Sequence, residues 1–203
     1  MCMQYIPSFY HNQRGFLLMI LALLPSILWA QEIFTGNLSG KECLFLGSIS
    51  TEGHKAKVFE DGKIRWEDMD RLQQTGSLPA KEFLDIVFKQ DLQFNMEGYE
   101  PFWSATLTGE WFIFTDPDTM GENACPVRIV PNNDRTGHVY FMFEGGQGHV
   151  FGLVNRAGLR DPAHQEYCEY VVEEDEKIMY SVFLTIGDKT YKGCITIVER
   201  DNR

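Results

Sequence analysis

Three times between residues 102 and 198, two strand-like segments flank a glycine turn. Residues 102–108 and 110–115 flank Gly109. Residues 138–144 and 149–155 flank Gly145-Gly146-Gln147-Gly148. Residues 177–186 and 190–198 flank Gly187-Asp188. Such spacing is a hairpin signal. In the last pair Tyr180, Val182, Leu184 and Ile186 alternate with Met179, Ser181, Phe183 and Thr185. Alternate residues of a strand face opposite sides, so one set lines a core. Antiparallel strands joined by short turns form a meander, which closes most simply as a small barrel. The 13% aromatic content suits such strands.

Residues 31–92 have a mixed texture. Residues 43–49 read as a strand, and residues 56–59 read as another that turns at Asp61-Gly62 into 63–66. Ser77 is placed to cap a helix with Pro79 in its first turn. Phe83, Leu84, Val87 and Phe88 then share one face at helical spacing, while Lys81, Glu82, Asp85 and Lys89 are polar. This is the one helix the pattern predicts. The fold class expected is mainly β, a small antiparallel β-barrel over residues 93–203 with an N-terminal α+β extension over 31–92.

Residues 16–24 are an unbroken apolar run behind Arg14. The run is too short for a membrane-spanning helix, which needs about 20 residues. A short apolar core after a basic residue, with small residues at the cut, marks a cleavable signal peptide over residues 1–30. Pro25 ends the core, and Leu28 and Ala30 fit the positions before a cut at Gln31. No cysteine follows the core, which argues against a lipid anchor. The expected location is periplasmic or secreted. No further long apolar run is present, so no membrane span is expected once the signal is removed.

The formal charge of −11 becomes −12 when residues 1–30 leave, because they carry one Arg and no Lys, Asp or Glu. An acidic chain is a poor partner for nucleic acid, whose phosphates select Lys and Arg. It attracts cationic partners with a strength that salt screens. Cys2 leaves with the signal, and Cys43, Cys125, Cys168 and Cys194 remain. An even count in an exported chain suggests disulfides, with three connectivities open. Their wide spacing argues against a zinc ribbon or a thioredoxin-like redox pair.

Gly98-Tyr99-Glu100-Pro101-Phe102-Trp103-Ser104, with residues 180–186 and Thr190-Tyr191-Lys192-Gly193-Cys194, resembles a family of poorly characterised bacterial envelope proteins. That family carries a Gly-x-Glu-Pro-Phe-Trp motif, a central Cys and a terminal Gly-Cys, and its members are usually labelled predicted membrane proteins or lipoproteins. The resemblance covers residues 93–198. It implies an envelope location, barrel architecture and a Cys168–Cys194 disulfide, which leaves Cys43 and Cys125 to pair with each other. The chain departs from the family in its acidic Glu173-Glu174-Asp175-Glu176 segment and in its extra residues 31–92. The family supplies no established activity to carry over.

The candidate ligand-binding residues are Glu100, Phe102 and Trp103. Pro101 holds Glu100 extended, and the two adjacent rings must take opposite faces of a strand. A rim aromatic beside a carboxylate suits a cationic or amphipathic ligand. The competing role is a plug, in which the Trp closes the barrel end and the Glu accepts hydrogen bonds.

Other constellations are weaker. Residues 116–122 resemble a calcium loop, but Met120 and Val127 stand where ligands are needed. His138 and His149, with Met142 between them in sequence, are a set that suits copper. Ordinary strand-end histidines are far commoner than such a site, and no metal is assigned. The Gly145 turn lacks the Lys-Ser/Thr of a phosphate loop and precedes a strand, so no cofactor is expected. No catalytic residue is assigned.

The function expected is that of a non-enzymatic envelope binding or accessory protein whose partner is an unknown ligand or a cationic protein. The alternatives are an inhibitor of a cationic envelope-damaging enzyme such as lysozyme, and a hydrolase drawing a carboxylate pair from residues such as Glu100 and Asp116.

Overall fold

In the computed structural model, residues 34–38, 41–99, 101–132, 139–156, 167–168 and 175–200 are described. The signal segment, Glu100, His138, His164, Glu173 and Glu174 lie outside them. Among the described residues the chain is mostly strand, with one α-helix and one closed eight-stranded antiparallel barrel.

The first sheet is built from β1 (Phe34–Leu38), β2 (Lys41–Ser50), β3 (Lys55–Glu60), β4 (Lys63–Asp68) and β5 (Gln73–Ser77), in the order β4-β3-β2-β1-β5. The predicted turn at Asp61-Gly62 joins β3 to β4, with Glu60 opposite Lys63. The helix α1 (Ala80–Lys89) follows. Its N-cap is Pro79, not Ser77, which ends β5 instead. Proline suits a helix start because its fixed φ needs no donor there. Ala80, Phe83, Leu84 and Val87 form the buried stripe of α1, whereas Lys81, Glu82, Asp85 and Lys89 stay exposed.

The barrel strands are β6 (Leu92–Tyr99), β7 (Phe102–Leu107), β8 (Trp111–Thr115), β9 (Glu122–Pro131), β10 (Val139–Gly145) and β11 (Val150–Arg156). After β12 (Glu176–Ile178) come β13 (Tyr180–Ile186) and β14 (Lys189–Glu199). Each barrel strand pairs with the next along the chain, and β14 closes on β6. This is the predicted meander, and closure leaves the barrel no open edge.

Eight strands leave an interior that side chains just fill. Here aromatic rings fill it. Phe112 lies 5.2 Å from Phe143, and Phe94 lies 5.3 Å from Phe141, between ring centroids. Phe94, Phe112, Phe141, Phe143 and Leu184 are buried, and each such side chain contributes about 1.5–3 kcal/mol by leaving water. The stripe of α1 covers the end where β6, β10 and β13 begin. There Phe83 meets Tyr140 and Tyr180, and Phe88 meets Phe94 edge-on.

Sheet and barrel share one hydrophobic core, which includes Leu44, Leu46 and Phe59. The strand β12 pairs with the far end of β2, then the chain steps through Met179 into β13 of the barrel. At that step Met179 N–H donates to the Gly47 carbonyl, 2.9 Å away. Gly47 sits at φ +80, and a Cβ there would collide with the Tyr180 ring. Only glycine lets β2 approach so closely.

Cys168 and Cys194 form a disulfide, with Cα atoms 5.7 Å apart. The Cys168 amide also donates to the Ile178 carbonyl, so the bridge fastens this segment to β12 and β14. The expected Cys43–Cys125 bridge does not exist, and both residues are thiols. Cys43 lies on β2 of the first sheet opposite Gly36, and Cys125 lies on β9 of the barrel opposite Phe112. A bridge needs Cα atoms within about 7 Å, and these two strands belong to different sheets that do not pair. No helix among the described residues is long and apolar enough to cross a membrane.

Candidate functional site

The strands β6 and β7 pair antiparallel, with Tyr99 opposite Phe102 and Gly98 opposite Trp103. Strand alternation sends the two aromatic neighbours to opposite faces. Trp103 is 1% exposed and Phe102 is 51% exposed. One ring therefore belongs to the core and the other to the rim, and Glu100 lies outside the described residues.

Trp103 closes this end of the barrel from inside. Its ring lies 5.8 Å from Tyr191 and 6.2 Å from Phe114, which are themselves 5.2 Å apart. Its indole N–H donates to the Lys192 carbonyl at 3.1 Å. Gly98 and Gly193 make room for the indole, since a Cβ at either would strike it. The polar atom of Trp103 is thus used inside the protein, and its ring offers no surface to a ligand. The plug role expected for one of the two rings falls to Trp103.

The outer face is different. Phe102 stacks on Tyr99 with centroids 6.1 Å apart and planes 23° apart. Tyr99 is 47% exposed, so the pair presents a broad apolar surface at the hairpin end. The sequence pattern did not single out Tyr99, which the pairing of β6 with β7 places across from Phe102.

The neighbouring turn joins β8 to β9. Asp116 Oδ1 accepts hydrogen bonds from the amides of Asp118, at 2.8 Å, and Thr119, at 3.3 Å. Such a side chain organises its own loop, so the carboxylate proposed for a hydrolase pair is held by the turn. Asp118 pairs with Lys189 across the barrel end at 2.9 Å. That hydrogen bond and the carboxylate charge raise the Lys189 pKa. Met120 stands 67% exposed on the same turn.

His149 is exposed beside the β10–β11 turn, and His138 lies outside the described residues. Among the described residues no group of three or more His, Cys, Asp or Glu is placed to hold a metal. An open groove on the β9–β10 face is lined by Pro126, Val127, Gly145 and Gly146 and bridged by Arg128 and Glu144 at 2.7 Å. The nearby Cys125 thiol is pushed up in pKa by burial, partly offset by a hydrogen bond from the Gly146 backbone, so it is a weak nucleophile.

Comparison with protein-family models, with curated proteins and with solved structures finds no match to this chain.

Proposed function

We propose that this chain is an exported binding or accessory protein of the cell envelope, acting by contact rather than by catalysis, and that Tyr99 and Phe102 form its contact surface. One observation carries the reading. A stacked aromatic pair, with each ring about half exposed, sits at the end of a barrel whose interior is already full. Aromatic side chains dominate the energetics of protein contacts because they bury much area with few rotatable bonds. A filled barrel leaves binding to its rim.

The partner class that the charge favours is cationic or amphipathic. The chain carries −11 overall. Aromatic faces attract cations, and a net negative charge adds long-range steering. Export is supported by the short apolar run at residues 16–24, and the envelope location also by the family resemblance of residues 93–198.

The test is a paired substitution, Tyr99→Ser with Phe102→Ser, in the exported protein. Cell fractionation should recover both wild type and variant outside the cytoplasm. Chemical cross-linking should capture an envelope component with wild type, and at least tenfold less with the variant, at an unchanged melting temperature. Equal capture by both proteins would reject this surface. Retention of both in the cytoplasm would reject the export reading.

A further inference from the structure

The first sheet ends on β4, whose outer side pairs with no other strand among the described residues. Asp61 and Gly62, at φ +50 and +78, form the two-residue turn that makes Glu60 and Lys63 a hydrogen-bonded pair. Such pairs alternate along an antiparallel ladder. Lys63, Arg65 and Glu67 therefore turn their backbone groups toward β3, and Ile64, Trp66 and Asp68 turn theirs outward. The Ile64 N–H shows that direction, since it donates to the Glu199 carboxylate at 3.2 Å. An unpaired edge is a template for another strand, and proteins commonly blunt it with proline or a bulge. β4 has neither: it pairs with β3 residue by residue. At its centre stands Trp66, 39% exposed.

The charges of β4 fit a second copy of the same strand. Outward backbone groups recur at every second residue, so an added antiparallel β4 can shift only in steps that keep Ile64, Trp66 and Asp68 facing it. With Trp66 opposite Trp66, Arg65 faces Glu67 of the second copy, and Glu67 faces the second copy's Arg65. A shift in one direction sets Arg65 against Arg65, and a shift in the other sets Glu67 against Glu67. Like charges directly opposite destabilise a pair of strands. One register is thus free of that cost, and it is symmetric, so each favourable pair occurs twice. Arg65 already meets Glu60 through Nη2 at 3.3 Å. Its guanidinium carries five N–H donors, enough for a second carboxylate. Glu67 lies 3.9 Å from Arg71, beyond hydrogen-bond reach.

We propose that β4 is a dimerisation edge, where two copies of this chain pair antiparallel about Trp66 and join their sheets into one. The Glu199 side chain then yields the Ile64 N–H to the Asp68 carbonyl of the second copy. A six-residue strand covers little area, so the association is weak and rises with concentration. The edge belongs to the first sheet and not to the Tyr99 and Phe102 rim, so it stands or falls independently of the contact surface.

The experiment measures the mass of the purified protein by light scattering across a wide concentration range. Salt is held at about 0.15 M, where repulsion between two acidic bodies is screened beyond about 8 Å. The mass should rise from one chain toward two. Trp66→Cys should give a disulfide-linked dimer on mild oxidation, because Cα atoms of a hydrogen-bonded antiparallel pair lie about 5.5 Å apart, within disulfide reach. Asp68→Cys should not, because its counterpart lies about four residues away along the strands. Wild type treated alike gives the background from Cys43 and Cys125. Glu67→Arg, which opposes two positive charges on each side of the two-fold, should weaken association about tenfold or more. Three results would overturn the proposal: a single-chain mass at every concentration, equal linkage through Trp66→Cys and Asp68→Cys, or undiminished association of Glu67→Arg.

Discussion

At the β6–β7 end of the barrel, the indole nitrogen of Trp103 is buried and donates to the Lys192 carbonyl. At the α1 end, the hydroxyls of Tyr140 and Tyr180 are also buried and have no hydrogen-bond partner among the described residues. The two ends are built from the same material, aromatic rings carrying one polar atom each. They differ in whether the chain itself satisfies that atom. The first end is complete from inside, so what it offers a partner is its outer face, Tyr99 and Phe102. The second leaves two buried hydroxyls that no described residue satisfies.

The largest effect tests the claim that Trp103 is a plug. Trp103→Ala should cost about 3–5 kcal/mol, because it removes a fully buried ring and leaves a cavity against Phe114 and Tyr191. Denaturant unfolding measures this. A cost below about 1 kcal/mol would mean the end is not closed by this ring.

Next comes the covalent tie near the junction of sheet and barrel. Closing a 26-residue separation stabilises by about 3.5 kcal/mol in the chain-entropy treatment. Cys168→Ser with Cys194→Ser should lose an amount of that order. Under denaturing, non-reducing conditions, alkylation should label Cys43 and Cys125 and spare Cys168 and Cys194. Peptide mapping that finds Cys43 and Cys125 protected would restore the bridge that the fold lacks.

The smaller effect concerns the other end and has the opposite sign. Tyr140→Phe and Tyr180→Phe should each raise stability by about 1 kcal/mol, because each removes a buried hydroxyl that has no partner among the described residues. The pH dependence follows from the same burial. Both phenols have folded pKa values above the ordinary 10.0. A group raised on folding contributes stability that is complete below its unfolded pKa and lost as pH rises beyond it. Melting temperature should therefore fall above pH 10 more steeply in wild type than in the double Phe variant. Parallel curves would show that these phenols do not titrate with unfolding.

Much of this architecture was readable from local pattern. The glycine-centred hairpins, the alternation in residues 180–186 and the stripe Phe83, Leu84 and Val87 on α1 all depend on neighbours in sequence, and all appear in the fold. What depends on distant pairing was not readable. The strands β1 and β5 went unnoticed because they complete a sheet whose register is set by β2. Ser77 was assigned to the helix by its capping chemistry, but pairing with Phe34 draws it into β5.

The same division holds at the candidate sites. The opposite faces of Phe102 and Trp103 follow from alternation alone, and the choice of Trp103 as the buried ring follows from Gly98 and Gly193, two strands that meet only in the barrel. The open side of β4 carried no sequence signal, because the order of strands in the first sheet is what makes it an edge.

The most direct test of the contact surface compares two exposed aromatic positions at opposite ends of the barrel, Phe102 at 51% and Trp111 at 44%. A photo-crosslinking amino acid is placed at each in turn, and irradiation is carried out in the producing cells. The expected result is a discrete adduct from position 102 that is absent from position 111 and competed away by untagged wild-type protein. An adduct from position 111 alone, or equal uncompeted labelling from both, would contradict the assignment of the Tyr99 and Phe102 rim as the surface through which this protein acts.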